Sequence, residues 1–376
     1  MKPKKLCFIL PVFVEDTDRH FNHIYDFLEL LAKQVRLTLV FESGEAAERF
    51  KAVEAVHVVQ NRFFLFKKWI LAYHLLRIRF KGCKKFYSHY CFSGLFFSWL
   101  ITRIFRGETY LWHSIMMKNL MKDIDAGSFS RANIFFRLSL FFADHLVTGT
   151  RFMADYYIHR CGLKPEKAIV IPNYINLRRF TAIHGTKEEL REKLGLPRQK
   201  DIVLYVHGLE RGKGALLLPD IISRVVAGHA SAYFLIVGDG SRRPEIEKAL
   251  DDRNLRPHVT MAGRVPNRSI GEYYAASDIF ISPSIFDAFS RTILEAMAMG
   301  LPFVAAESEG TLAAFTAPEQ HRYLVPLDGI DRFVEVLIAL LQNTDERENI
   351  RRIGKAWVER FSVDRVADIF LKEIFL

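Results

Sequence analysis

In the stretch "SIFDAFSRTILEAMAMGLPFVAA", residues 284–306, Asp287 and Glu295 stand eight positions apart. A strand-like run, "DIFISPS", precedes them, and "SRTILEAMAM" has the spacing of a helix that Ser290 can cap and Gly300-Leu301-Pro302 ends. This order puts Asp287 at the carboxyl end of a strand and Glu295 on the second turn of the helix. The amides from Ala288 through Phe289 and Ser290 to Arg291 fall at the helix start, where unpaired N–H groups and the macrodipole favour an anion. Carboxylates accept hydrogen bonds from sugar hydroxyls, and an amide cradle takes a phosphate, so the group suits a nucleotide-sugar. Acids near a helix start are also common as solvated residues, and the spacing alone does not decide between the two.

A second candidate is the loop in "YVHGLERGKGALLL", where Arg211 and Lys213 sit among glycines after a strand. Two cations there suit a departing diphosphate electrostatically. Elsewhere "ETYLWHS" puts His113 at a strand end, and the first loop, "VFVEDTDRHF", offers Asp16, Thr17 and Arg19 as acceptor contacts. A lone His is more often structural, and His113 is singled out only for its place. Two D-x-D patterns, Asp16 to Asp18 and Asp123 to Asp125, are short enough to arise by chance, so no metal and no cofactor is expected. The "GDG" at 238–240 is too short for a dinucleotide fingerprint.

These residues need a scaffold, and the chain supplies one by alternation. Apolar runs such as "LCFILPV", "RLTLVF", "DIVLYVHG", "AYFLIVGDG" and "LPFVAA" recur, separated by helical or loop segments. Apolar strands that do not alternate in polarity mean parallel sheets covered on both faces. With 376 residues, two such series give an α/β chain of two doubly wound, Rossmann-like domains. Residues 1–180 form the first and 181–355 the second, with a helix over 356–376. Ligands of such sheets bind beyond the carboxyl ends of the strands, so two domains facing across a cleft would line it with loops.

Composition narrows the setting. The four cysteines form no C-x-x-C pair, which suits a reducing cytoplasm and argues against a disulfide framework or a structural zinc site. The basic, apolar start lacks a small-residue cleavage site and reads as a first strand over Leu6 to Val14. The longest apolar stretch free of charged residues, Phe86 to Thr102, has 17 residues with His89 and three serines, too short and too polar to span a bilayer. Charge is uneven: residues 1–185 hold 28 Lys/Arg against 15 Asp/Glu, and 62–122 hold 12 basic residues and one acid among many Phe and Trp. This half suits an anionic membrane surface, or else a core of aromatics with a solvated basic face. No stacking platform or helix-turn-helix pattern points to nucleic acid.

The run from "FLIVGDGSRRPEIEKAL" to "FVAAESEG" resembles the carboxy-terminal half of family 4 retaining glycosyltransferases, whose fold is the two-Rossmann GT-B. Their E-x7-E motif with its E-A-M-A-x-G-x-P continuation maps onto Asp287 and Glu295. The likeness extends over about residues 140–370 and includes "VIPNYINLRRF". It implies that Asp287 contacts the donor sugar, Glu295 the ribose hydroxyls, Lys213 the donor phosphates, and the loop from Gly263 through Val265 to Asn267 the nucleobase. It also implies an acceptor side in the first domain, nucleotide-sugar binding in the second, a helix over 356–376 that packs back on the first, a place for His113 near the reacting sugar, and chemistry without metal. The sequence departs from the family at four points. The first acid is Asp rather than Glu, Ala288 and Ser290 replace glycines, and Gly208 takes the place of an Arg for which Arg211 is near enough to substitute. The expected activity is retaining transfer of a sugar from a nucleotide-sugar to a glycan or lipid-linked acceptor. An epimerase or hydrolase of the same fold and a non-catalytic, membrane-associated sugar-binding protein are the alternatives.

Overall fold

Runs such as "DIVLYV" and "AYFLIV" have no polar face to give to water, so each must lie inside a sheet covered on both sides. The computed structural model describes residues 3–13, 22–44, 49–60, 63–114, 131–284, 289–314 and 318–375. It divides the chain into two units, Met1–Pro172 with Asp364–Leu376, and Asn173–Val363.

Among the described residues, the first unit holds seven parallel strands: β1 (Lys5–Leu10), β2 (Arg36–Phe41), β3 (Ala55–Val58), β4 (Lys85–His89), β5 (Glu108–Trp112), β6 (His145–Thr148) and β7 (Ala168–Val170). Their order across the sheet is β3-β2-β1-β4-β5-β6-β7. The second unit holds β8 (Asp201–Val206), β9 (Ala232–Val237), β10 (Val259–Gly263), β11 (Ile279–Ser282), β12 (Phe303–Ala306) and β13 (Leu324–Val325), ordered β10-β9-β8-β11-β12-β13 and again parallel. Each unit is doubly wound. Strand order reverses between β1 and β4 in the first and between β8 and β11 in the second, and beyond the carboxyl ends at such a reversal a crevice opens for a ligand.

The unit boundary differs from the one expected at 180/181. It falls after Pro172, because Ile175 belongs to the second core and Leu177, Phe180 and Ile183 pack against it. The returning segment also stays longer in the second unit. Ile175 N–H donates to Phe361 O at 2.9 Å and Val363 N–H to Ile175 O at 2.9 Å, so outgoing and returning chain are tied together. Only the helix Val363–Phe375 rejoins the first unit, where Phe370 packs 5.1 Å from Tyr87 and 5.3 Å from Phe27.

The aromatic, basic stretch of the first unit resolves into two populations. The helix Phe64–Phe80 buries Leu71, Leu75 and Ile78 and turns Phe66, Trp69, Tyr73 and Phe80 outward, with Trp69 74% exposed. Beside it packs the helix Phe92–Phe105, exposing Leu100 and Ile104. Next to that one lies the helix Arg131–Phe142, exposing Ile134, Phe135, Leu138 and Phe141. Neighbouring rings join them, Phe92 to Phe135 at 5.4 Å and Trp99 to Phe141 at 5.9 Å. Among the described residues, no helix is long and apolar enough to cross a membrane.

Candidate active site

The loop after β8 is held by its own backbone. Arg211–Lys213 form a 3₁₀ turn closed by Gly214 at φ 70°, and a Cβ on Gly214 would stand 1.9 Å from the Pro283 carbonyl oxygen beyond β11. Ser284 Oγ donates to Gly212 O at 3.3 Å, fixing the same approach from the other side. The buried Tyr205 donates its hydroxyl to Lys213 O at 3.1 Å. Lys213 is partly buried and Arg211 exposed. The cations thus stand on a turn held by contacts to its backbone.

The loops after β9 and β10 close the neighbouring ground. A Cβ on Gly238 would lie 1.9 Å from His207 O, so only glycine permits this contact at φ 136°. Gly238 N–H also donates to Gly263 O at 2.8 Å, which brings the Gly263 loop to the same edge of the sheet, with Val265 packed against the core. Glu210 accepts from Ser241 N–H at 2.9 Å and Oγ at 2.7 Å, and these bonds hold its carboxyl below the usual carboxylate range.

From β11 the chain enters the helix Arg291–Ala298. Ser290 occupies the N-cap position, but its side chain accepts no capping hydrogen bond. Oγ is buried and finds no partner among the described residues, contrary to the cap expected from sequence. The C-terminal stop is as the sequence implies. Gly300 adopts φ 68°, its N–H donates to Met297 O at 3.0 Å, and Leu301 N–H donates to Ala296 O at 2.8 Å, a Schellman closure. Phe289 is buried with its ring 5.5 Å from Phe361.

Glu295 lies on the second turn and accepts from the Tyr274 hydroxyl at 2.9 Å. Burial pushes its carboxyl above the usual value, against the opposing pull of Arg291, the Tyr274 hydrogen bond and Arg179. His207 Nε2 lies 3.3 Å from Ser282 Oγ and 3.1 Å from Thr292 Oγ1, tying the ends of β8 and β11 to the first turn of this helix. His207, Tyr274 and Arg179 escape the sequence reading. Tyr274 stands 21 residues from Glu295, a separation that no local pattern reveals.

In the first unit His113 follows β5, and its Nδ1 lies 2.6 Å from the Tyr157 hydroxyl. Burial lowers its pKa to about 4, so the imidazole is neutral at pH 7. The Phe136 ring lies tilted at 4.8 Å and the Tyr90 ring edge-on at 5.9 Å. Tyr90 holds φ 56°, uncommon for a non-glycine residue, and its hydroxyl accepts from Trp112 Nε1 at 3.2 Å and Ser114 N–H at 3.3 Å. Backbone strain of this kind gathers at functional sites, and Tyr90 too escapes the sequence reading.

Asp287 and Ala288, like Asp16, Thr17 and Arg19, lie outside the described residues. The described members of the donor-side set, Arg211, Lys213, Gly263, Val265, Phe289, Ser290, Arg291 and Glu295, come together in the second unit, and His113 lies in the first.

Two doubly wound sheets define a GT-B architecture, and solved structures of that class match the whole chain. A glycosyltransferase from Rickettsia africae superposes with a TM-score of 0.75 over 100% of this chain and 98% of its own, at 17% identity. Residues 186–357, within the second unit, match the family described as Glycosyl transferases group 1. The D-inositol 3-phosphate glycosyltransferase of Segniliparus rotundus is 28% identical over 230 residues, 60% of this chain and 51% of that protein. The alpha-monoglucosyldiacylglycerol synthase of Acholeplasma laidlawii is 28% identical over 138 residues, 36% of this chain and 35% of that protein. The chain thus spans about half or less of the length of these curated relatives.

Proposed function

We propose that the protein is a retaining, metal-independent glycosyltransferase that moves a sugar from a nucleotide-sugar to a glycan or lipid-linked acceptor at an anionic membrane surface. The observation that carries the reading is the meeting, at the β8/β11 reversal, of a cationic turn with the segment that opens the Arg291–Ala298 helix. Asp287 contacts the donor sugar, and Glu295 takes the ribose hydroxyls. Arg211, Lys213 and the amides near Phe289 and Ser290 stabilise the departing diphosphate. The acceptor hydroxyl attacks the anomeric carbon on the face from which the diphosphate leaves. The bond to phosphate breaks as the new glycosidic bond forms, and the hydroxyl proton departs with the diphosphate. The resemblance gives His113, neutral at pH 7, a role toward the reacting sugar. Cations on that turn would neutralise the phosphates without a metal.

The test is a transfer assay on the purified protein with a panel of nucleotide-sugars and lipid-linked acceptors. Nucleoside diphosphate release that requires acceptor, persists in excess EDTA and gives a product with the donor's anomeric configuration is the expected result. Activity lost with EDTA and restored by manganese or magnesium overturns metal independence. Release without acceptor makes the protein a hydrolase.

The membrane surface rests on the outward aromatics of the helix Phe64–Phe80, bordered by the exposed Arg77, Lys81, Lys84 and Arg106. Each cation near an anionic leaflet is worth about 1 kcal/mol, while aromatics enter the interface. The likeness to a synthase of alpha-monoglucosyldiacylglycerol supports a lipid acceptor, presented at the cytoplasmic leaflet. Not every lysine of the stretch serves this face. Lys68 donates to Ser93 Oγ at 2.5 Å and to Glu42 at 3.4 Å, and Lys85 donates to Glu108 at 2.6 Å and Tyr110 at 2.9 Å, so changing either disturbs the fold. Phe66→Ser with Trp69→Ser lowers co-sedimentation with phosphatidylglycerol vesicles by roughly tenfold or more, since each large apolar side chain gains about 1.5–3 kcal/mol on full burial. Transfer to a soluble acceptor stays unchanged. Unaltered co-sedimentation removes this helix from the membrane contact.

A further inference from the structure

A cavity of ≈ 350 Å³ opens in the first unit among Arg137, Leu140, Phe141, Leu163, Lys164 and Lys167. It lies at the opposite edge of the sheet from His113. Its walls come from the end of the helix Arg131–Phe142, which leads into the start of β6, and from residues 161–167, which lead into the start of β7. Donor and acceptor sites of doubly wound sheets belong at the carboxyl edge, so this cavity serves neither. Its volume is within the range of about 300–1,000 Å³ typical of small-ligand sites.

The chemistry of the wall is divided. Arg137, Lys164 and Lys167 bring three cations, and no carboxylate is among the described residues that line the space. Arg137 is oriented by Nε, which donates to Asn133 Oδ1 at 3.1 Å, and Lys167 by its bond to Ala143 O at 3.3 Å. Opposite them Leu140, Phe141 and Leu163 are apolar. Phe141 belongs at once to the cavity and to the outward row Ile134, Phe135, Leu138 and Phe141, and is 65% exposed. A polyanionic peptide would have no use for that row, and a purely apolar ligand would leave three cations unanswered.

We propose that this cavity binds the phosphate head group of a single anionic phospholipid, with its acyl chains leaving along Phe141 onto the exposed faces of the three neighbouring helices. The site rests on the membrane contact of the first unit and is independent of the transfer chemistry. It would give the protein a preference for particular head groups, which a smeared basic surface cannot.

The experiment compares two variants of equal charge loss. One carries Arg137→Gln, Lys164→Gln and Lys167→Gln, the other Lys81→Gln, Lys84→Gln and Arg106→Gln, all in the full chain and checked for unchanged thermal unfolding. Monomeric dihexanoyl phosphatidylglycerol binds the wild type and the second variant one to one by calorimetry, and binds the first at least tenfold more weakly. Partition onto phosphatidylglycerol vesicles falls in both variants, since both lose surface cations, and millimolar inorganic phosphate does not displace the monomeric lipid. Equal affinities in the two variants overturn the site and leave only a diffuse field. Displacement by micromolar phosphate overturns the lipid assignment. A wild type that binds neither monomeric lipid nor vesicles overturns the site and the membrane contact together, while transfer to a soluble acceptor would still stand on its own assay. Lys164→Gln alone, at an exposed position, supplies the same comparison should the triple variant unfold.

Discussion

Lys213→Ala lowers turnover by about 10²-fold or more, the scale seen when one preorganised charge stabiliser is removed from a transition state. The structure makes this variant easy to interpret. The turn that carries Lys213 is fixed by the Tyr205 hydroxyl on the Lys213 carbonyl, by Gly214 against Pro283 and by Ser284 Oγ on Gly212 O, none of which uses the lysine side chain. Removing the ammonium leaves these three contacts in place, and thermal unfolding checks that the fold is kept. Because the charge matters most as the diphosphate departs, kcat falls further than KM rises. Arg211→Ala has a comparable effect if Arg211 replaces the cation missing at Gly208. Gly214→Ala is the structural contrast: its Cβ has no room beside the Pro283 oxygen, so that variant loses activity together with stability. Full activity in both Lys213→Ala and Arg211→Ala removes this loop from the mechanism.

The sequence made the strands legible because β8, β9 and β12 are buried on both faces and leave an unbroken apolar run. The Gly300-Leu301-Pro302 stop was equally plain, since glycine at positive φ followed by proline has few other uses. What escaped depends on contacts distant in sequence. The Phe64–Phe80 helix is apolar on nearly every side, so its pattern cannot say that Leu71 and Leu75 face the core while Trp69 faces outward. Only the neighbouring helix decides that. The boundary at Pro172 was hidden for a similar reason, because the bond from Ile175 to Phe361 joins residues that no local pattern relates. Ser290 has the composition of a helix cap, yet its hydroxyl is buried at the helix start without capping it. His207 reads as one more polar residue after a strand until Ser282 and Thr292 are seen at its Nε2.

Asp287→Asn and Glu295→Gln separate the two acids by what each does to binding and to rate. Asp287→Asn keeps the shape of the side chain and removes its charge, so turnover falls by roughly 10²-fold or more while donor affinity changes little. Glu295→Gln acts on the nucleotide instead. A hydrogen bond to a charged group is worth about 1.5–3 kcal/mol, so affinity falls by roughly 10- to 10²-fold, for the nucleoside diphosphate alone as for the whole donor. The same variant has a second signature in the unliganded protein. The Glu295 carboxyl is pushed above its ordinary value of 4.5, first by burial. Between that value and its raised one the native state holds the proton more tightly than the unfolded chain does, so the wild type loses stability as pH rises through this window. Gln at 295 keeps an acceptor for the Tyr274 hydroxyl and has no proton to lose. The variant should match the wild type in melting temperature below pH 4.5 and exceed it at neutral pH, while binding nucleotide more weakly. A difference in melting temperature that does not vary with pH rules out the buried carboxylate as its source. Small and equal effects of the two substitutions on kcat and KM return both acids to the role of solvated residues at a helix start.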